Sequence, residues 1–225
     1  LVTRAIAAVS GLESNVIAHR LMGTWRPTAE FYDALVSPDT MDADSSKPYP
    51  FYLAHPLDSE LAELGSCDEW CAEWKWDGIR AQLIRREGGT YIWSRGEELV
   101  SEQFPEILKS ASNLPDGLVL DGEIICYEDD QVLPFSTLQK RLGRKKVGPK
   151  ILSEAPVVMI VYDLLEHGGE DCRSMPLHQR KELLNGVLTS NFLKANFIFS
   201  PIVEFENWED LALKRQTPRE RRVEG

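Results

Sequence analysis

The sequence contains no apolar run close to the ~20 residues that a helix needs to cross a bilayer, so no membrane-spanning helix is expected. Its first residues, LVTRAIAAVSGLESNV, lack both the charged start and the cleavage signature of a secretion signal, and a cytoplasmic protein without a membrane partner is the expectation. The four cysteines, Cys67, Cys71, Cys126 and Cys172, form no C-x-x-C pair, and nothing near Cys67 and Cys71 would complete a zinc site. Free thiols in a reducing compartment are expected of them. Positive charge is scarce: 25 Lys and Arg stand against 36 Asp and Glu, a net charge of −11, which speaks against a chain that wraps nucleic acid through bulk charge. There is no internal repeat, no initiator methionine, and no cap or turn closing the final RRVEG, so both ends are expected to be cuts in a longer protein.

What is present is a globular composition: 225 residues, 43% of them hydrophobic, can bury the core of one large domain with an appendage. From Leu1 to about Met22, apolar Val2, Ile6, Val9, Val16, Ile17 and Leu21 recur at helical spacing, interrupted near Gly11, which predicts one or two amphipathic helices. A further helix over about Thr28–Val36 follows Pro27. The segment Ser37–Pro50, SPDTMDADSSKPYP, has no apolar period and places a boundary between one unit over residues 1–45 and a second over 46–225. Beyond it, strands are expected over Glu69–Trp76, Ile79–Arg86, Thr90–Ser94, Leu118–Tyr127, Val157–Leu165 and Asn196–Glu204, with Gly88-Gly89 as a two-residue hairpin link. Helices are expected over Phe104–Ser112, Phe135–Leu142, Pro176–Leu188 and Trp208–Lys214. Adjacent hairpin strands favour an α+β fold of antiparallel sheets with flanking helices over a doubly wound parallel one.

The stretch EWKWDGIR, Glu73 to Arg80, carries most of the chemistry. Lys75 lies between Trp74 and Trp76 in an apolar, aromatic strand where a cation is costly to bury, which makes it a candidate nucleophilic amine; a surface lysine lying along two tryptophans is the other reading. Asp77-Gly78 can turn the chain sharply and leave Lys75 at a strand end facing a cleft. Read singly, Arg95-Gly96 is a hairpin exit, Asp121-Gly122 a turn and Tyr162 a core aromatic. Between Lys140 and Lys150, the basic residues Lys140, Arg141, Arg144, Lys145, Lys146 and Lys150 occur with no acid among them. A solvated loop and a phosphate-binding patch explain such a run equally well.

As an ordered set these stretches resemble the covalent nucleotidyltransferases: ATP-dependent DNA ligases, RNA ligases and mRNA capping enzymes. KWDGIR matches the family's K-x-D-G-x-R motif, and SRGEE (Ser94–Glu98), LDGEIICY (Leu120–Tyr127), VYDLLEHGGED (Val161–Asp171) and the final VEG resemble the elements that follow it, in order. Glu73 stands where the ligases carry a glutamate that favours ATP over GTP, and Arg80 fits the ATP-dependent ligases better than the NAD-dependent ones. NVIAHRLMGTWRPTAEFYDAL resembles the end of the helical DNA-binding domain of larger, particularly bacterial, ATP-dependent DNA ligases. The resemblance is thus to ATP-dependent DNA ligases, with an RNA ligase or capping-type nucleotidyltransferase and an inactive nucleic-acid-binding module as the alternatives.

The resemblance implies a nucleotidyltransferase (ATP-grasp-like) fold, acting as a monomer, in which Lys75 takes AMP from ATP and passes it to the 5′-phosphate of nicked double-stranded DNA. It also implies that Glu73, Trp74, Arg80, Arg95, Glu123 and Tyr162 bind the nucleotide: Glu73 accepts from the adenine amino group, Tyr162 stacks on the base, and Arg80 and Arg95 donate to ribose or phosphate oxygens. Mg2+ is the implied metal, with Glu123 and Glu224 as oxygen ligands. Attack needs a neutral lysine, against an ordinary pKa of about 10.4, so a metal ion or cationic neighbour has to favour loss of the proton. A lysine-bearing element that follows the E-G element in the family, and an OB-fold domain, do not occur in the sequence, and without them the chain is not expected to seal nicks alone.

Overall fold

The computed structural model describes residues 2–21, 25–38, 45–144, 146–189, 196–217 and 222–225. Met22, residues 39–44 of the boundary segment and Lys145 of the basic run lie outside the described residues. Three short helices come first: α1 (Val2–Ser10), α2 (Ser14–Arg20) and α3 (Ala29–Val36). Gly11, at φ 71°, separates α1 from α2, and the Thr28 side chain caps α3 by accepting from the Phe31 N–H. The three helices bury Ala7, Ile17 and Leu35 against one another in a small apolar cluster.

The remaining elements run β1 (Ala72–Glu73), β2 (Ile79–Arg86), β3 (Gly89–Ser94), α4 (Pro105–Ala111), β4 (Leu118–Glu128), β5 (Gln131–Val132), α5 (Phe135–Leu138), α6 (Pro149–Glu154), β6 (Val157–His167), β7 (Glu170–Asp171), α7 (Leu177–Thr189), β8 (Phe197–Phe199), β9 (Ile202–Val203) and α8 (Trp208–Lys214). Among the described residues seven strands form one sheet in the order β3-β2-β4-β6-β7, with β5 added to β4 and β8 to β6, while β1 and β9 form a separate ribbon. The pairs are antiparallel except β6 with β8, which is parallel, so the α+β architecture holds with one parallel pair in an otherwise antiparallel sheet.

Alternation along β4 divides the sheet into two faces. Leu118, Leu120, Ile124 and Cys126 join the main core with Ile107 and Ala111 of α4 and Leu184 and Val187 of α7. On the opposite face Val119 packs with Ile84, Trp93 and Leu165, and Ile125 with Val158 and Ile160. Between these two apolar clusters the same face carries Asp121 and Glu123. Polar side chains thus interrupt the face between two patches of packed apolar side chains.

Five local expectations change. The helix expected over Phe135–Leu142 covers only Phe135–Leu138, and the chain continues from Gln139 in turns. The hairpin link is Glu87-Gly88, not Gly88-Gly89: both linking residues have positive φ (51° and 73°), and Arg86 pairs with Gly89 across the turn. Glu69–Trp76 is strand only at Ala72–Glu73, with Cys67–Glu69 in a 3-10 turn. Asn196–Glu204 breaks at Ser200-Pro201, because Pro201 has no N–H to donate; β8 joins the main sheet and β9 crosses to β1. Asp121-Gly122 is not a turn but lies within β4. All four cysteines are free.

The basic run also divides. Lys140, Arg144, Lys146 and Lys150 are exposed, but Arg141 is fully buried, its guanidinium donating to Glu106, to the Ala155 carbonyl at 2.7 Å and to the Gln103 carbonyl at 3.1 Å. Arg141 therefore belongs to the core and is removed from any phosphate-binding patch. Arg141→Ala strands a carboxylate and two carbonyls, and is expected to cost about 3–5 kcal/mol in urea unfolding. The same change at exposed Lys146 is expected to cost less than about 0.5 kcal/mol.

Candidate active site

Lys75 follows β1 and is held by the last residues of the chain. Its N–H donates to the Gly225 carbonyl at 2.7 Å, its carbonyl accepts from Glu224 N–H at 2.8 Å, and Trp76 bridges Val223 in antiparallel register. The motif KWDG and the final VEG, far apart in sequence, are thus laid side by side. Trp76 also packs against Ile125, Val158 and Ile160 and donates its indole N–H to the Ser200 hydroxyl at 3.4 Å. The Lys75 side chain is 71% exposed and its ammonium pairs with the Glu224 carboxylate. The expectation of a lysine costly to bury is therefore wrong: the strand ends at Glu73, and Lys75 stands at the mouth of a cleft beside the Glu224 carboxylate.

That cleft has a volume of about 1220 Å³ and is lined by every residue predicted to handle the nucleotide: Glu73, Trp74, Lys75, Arg80, Arg95, Glu123, Tyr162 and Glu224. Strand register accounts for its floor. Arg80 of β2 lies directly opposite Glu123 of β4, and Glu123 is two residues from Asp121 on the same face. Between β4 and β6, Gly122 pairs with Val161 and Asp121 with Asp163, leaving Tyr162 as the extra residue of a β-bulge. Gly122 is required at this crossing, because a Cβ there would lie 2.5 Å from the Ile160 carbonyl.

Arg80 is less available than expected. Its Nε and Nη2 donate to the two Asp121 oxygens at 3.3 and 2.8 Å, and Nη1 donates to the Tyr52 carbonyl. Most of the guanidinium is committed to the scaffold, whereas Arg95 is exposed on the turn after β3. Burial raises the Asp121 carboxyl above its ordinary range, and the Arg80 guanidinium works against that shift. Burial also pushes Glu123 up to about 8, with Asp121 adding to the rise and Arg80, Arg95 and Lys75 opposing it. Among the described residues no three His, Cys, Asp or Glu side chains converge as a ready-made metal cage. Glu123 and Glu224 nevertheless face the same cleft, and one or two carboxylates completed by substrate phosphates are an ordinary Mg2+ environment.

Three features of the site were not anticipated. Asp121 anchors Arg80. Residues 45–52 are clamped onto the sheet, where Tyr49 donates to Glu166 at 2.7 Å and has the Arg173 guanidinium 4.1 Å from its ring; the clamp delivers the Tyr52 carbonyl to Arg80. Lys181 of α7 is 7% exposed and pairs with Glu73 at 2.9 Å. Its signal in the sequence is its spacing: Lys181, Leu184 and Val187 are the buried residues of α7, so a lysine fills a position where the helix calls for an apolar side chain.

Gly78 has a different reason from the turn expected of it. It lacks a positive φ, but a Cβ would lie 2.4 Å from the Ile124 carbonyl and 2.9 Å from Glu123 Cγ. Gly78→Ala is expected to push β4 away beside Glu123 and to cost about 2–3 kcal/mol, measured as a lowered urea midpoint.

A polar cleft on one face of an antiparallel sheet, closed by a ribbon that presents a lysine, is the architecture of a ligase nucleotidyltransferase domain. The ligase domain of LigD from M. tuberculosis superposes with a TM-score of 0.50 at 25% identity, covering 65% of this chain and 45% of that one. A Lig E DNA ligase shares the fold with a TM-score of 0.52 at 17% identity, covering 78% and 60%. Residues 52–225 match the family model of the ATP dependent DNA ligase domain, and the chain belongs to that family. A probable DNA ligase of Koribacter versatilis is 35% identical over 142 residues, 63% of this chain and 25% of the relative. One of Opitutus terrae is 41% identical over 120 residues, 53% and 12%. The matches thus cover a quarter or less of these relatives' lengths.

Proposed function

We propose that this chain performs the nucleotide-transfer step of ATP-dependent DNA ligation. The observation that carries the reading is the convergence of Lys75 with Glu73, Arg95, Glu123, Tyr162 and Glu224 on one cleft. The neutral Lys75 amine attacks the α-phosphorus of ATP: a P–N bond forms, the bridging P–O bond to the β-phosphate breaks, pyrophosphate leaves, and the amine proton passes to solvent at the open mouth of the cleft. The 5′-phosphate at a nick in double-stranded DNA then takes the AMP from Lys75, and the adjacent 3′-hydroxyl displaces AMP as the phosphodiester forms.

The residues divide the work. Glu73 reads the adenine amino group, Trp74 and Tyr162 border the base, with Tyr162 offering its ring face, and Arg95 donates to phosphate or ribose oxygens with what Arg80 has left to give. Glu224 keeps the Lys75 amine placed and is the group that must release it before attack. Glu123 and Glu224 would hold Mg2+, which when bound supplies charge neutralisation for the phosphates and the departing pyrophosphate. The first three helices are proposed to be the end of a separate helical unit that contacts DNA.

The test is nick sealing by the full-length protein. Sealing of nicked duplex DNA with ATP, and neither RNA-end joining nor a preference for GTP, is the expected result. Preference for GTP would overturn the role given to Glu73, and absence of any sealing or nucleotide transfer would overturn the reading.

A further inference from the structure

We propose that Lys181 is the positioning residue for base recognition, acting on the nucleotide through Glu73; the inference rests on the nucleotide-binding reading of the cleft. Lys181 is 7% exposed, and its ammonium contacts Glu73 Oε1 at 2.9 Å and donates to the Tyr162 carbonyl at 3.0 Å. The Phe199 ring lies beneath it, 5.6 Å from the ammonium to the ring centroid. Burying a lysine at a helix position otherwise occupied by Leu184 and Val187 is costly, and an apolar side chain would fill that position without the cost. Packing therefore does not account for it, whereas orienting a carboxylate does.

The geometry around Glu73 gives the orientation a direction. Oε1 is shut off from solvent and meets Lys181 as an ion contact off the hydrogen-bonding direction, while the side chain as a whole keeps 24% of its surface and lines the cleft. With Oε1 taken, the second oxygen is the acceptor left for a ligand. The same ammonium is tied to the backbone of Tyr162, so the carboxylate that reads a base edge is referenced to the residue that borders the base. A carboxylate fixed in this way accepts from a 6-amino group and repels a 6-oxo group; one free to rotate does both less well.

The experiment compares two nucleotides within each variant of the full-length protein: ATP, and purine riboside triphosphate, which lacks the 6-amino group. Lys181→Met is expected to raise KM for ATP in lysyl-nucleotide formation about tenfold while changing KM for purine riboside triphosphate less than about twofold. Lys181→Arg is expected to bring KM for ATP back to within about threefold of wild type. Since both nucleotides meet the same variant, a general loss of folding moves them together. Equal rises in KM for the two nucleotides, or a fall in kcat alone, overturn the proposal and leave Lys181 a structural residue. A wild-type protein that forms no nucleotide adduct overturns the underlying reading of the cleft, and that result is distinguishable because it precedes any variant.

Discussion

Lys75→Arg should lose adduct formation entirely, a drop of at least about 10⁴ in rate, with stability within about 0.5 kcal/mol of wild type. The guanidinium keeps the positive charge and can still pair with Glu224, and the side chain it replaces is 71% exposed, so the fold has little to lose. What it cannot do is present a lone pair, because arginine stays protonated at any working pH. The two readings of a lysine between tryptophans separate here. If Lys75 were only a surface side chain lying along Trp74 and Trp76, arginine would serve as well; transfer of labelled AMP from ATP, followed on a denaturing gel, decides between them.

Glu123→Gln should slow adenylylation by about 10²–10³ while making the nucleotide-free protein more stable at neutral pH. The sign follows from the carboxyl's rise from 4.5 to about 8 in the folded chain. Below pH ~4.5 the folded and unfolded states both hold the proton and Glu123 costs nothing. As pH rises towards 8 the unfolded chain releases the proton and the folded chain keeps it, so stability falls, by a cost on the order of 5 kcal/mol, and levels off above 8. Glutamine removes that dependence. Urea midpoints of wild type and Glu123→Gln are expected to coincide near pH 4 and to diverge, with the variant higher, towards pH 8. Equal midpoints at pH 8 would mean that Glu123 is ionised in the free cleft. The cation binding proposed at Glu123 would have to displace the same proton, so any cation-dependent nucleotide transfer is expected to strengthen up to about pH 8.

Much of this was legible in the sequence, for identifiable reasons. β2, β3, β4 and β6 carry long alternating or apolar runs, and their bounds follow the pattern closely. The ordered motifs brought Glu73, Lys75, Arg80, Arg95, Glu123, Tyr162 and Glu224 to a single cleft, although no one motif could have done so. What failed depends on contacts distant in sequence. Taken alone, Tyr162 reads as a core aromatic, because nothing local reveals the bulge opposite Asp121 and Gly122 that gives it an extra place in β6; only the ordered motifs assigned it to the cleft. Arg141 hides in a basic run because its partners, Glu106 and the Ala155 carbonyl, lie on other elements. Lys75 was expected at the end of a strand over Glu69–Trp76, facing a cleft; it does face one, but β1 ends earlier, at Glu73, and the chain's last residues hold the lysine. Lys181 was visible as a charge in an apolar period, but only Glu73 beside it gives that charge a purpose.

The most direct measurement is peptide mapping by mass spectrometry of the full-length protein after incubation with ATP and Mg2+ and removal of pyrophosphate. The account predicts one acid-labile AMP on the peptide that contains Glu73 to Arg80, with the mass carried by Lys75. AMP on any other residue, or no adduct on a protein that still seals nicked DNA, would contradict it.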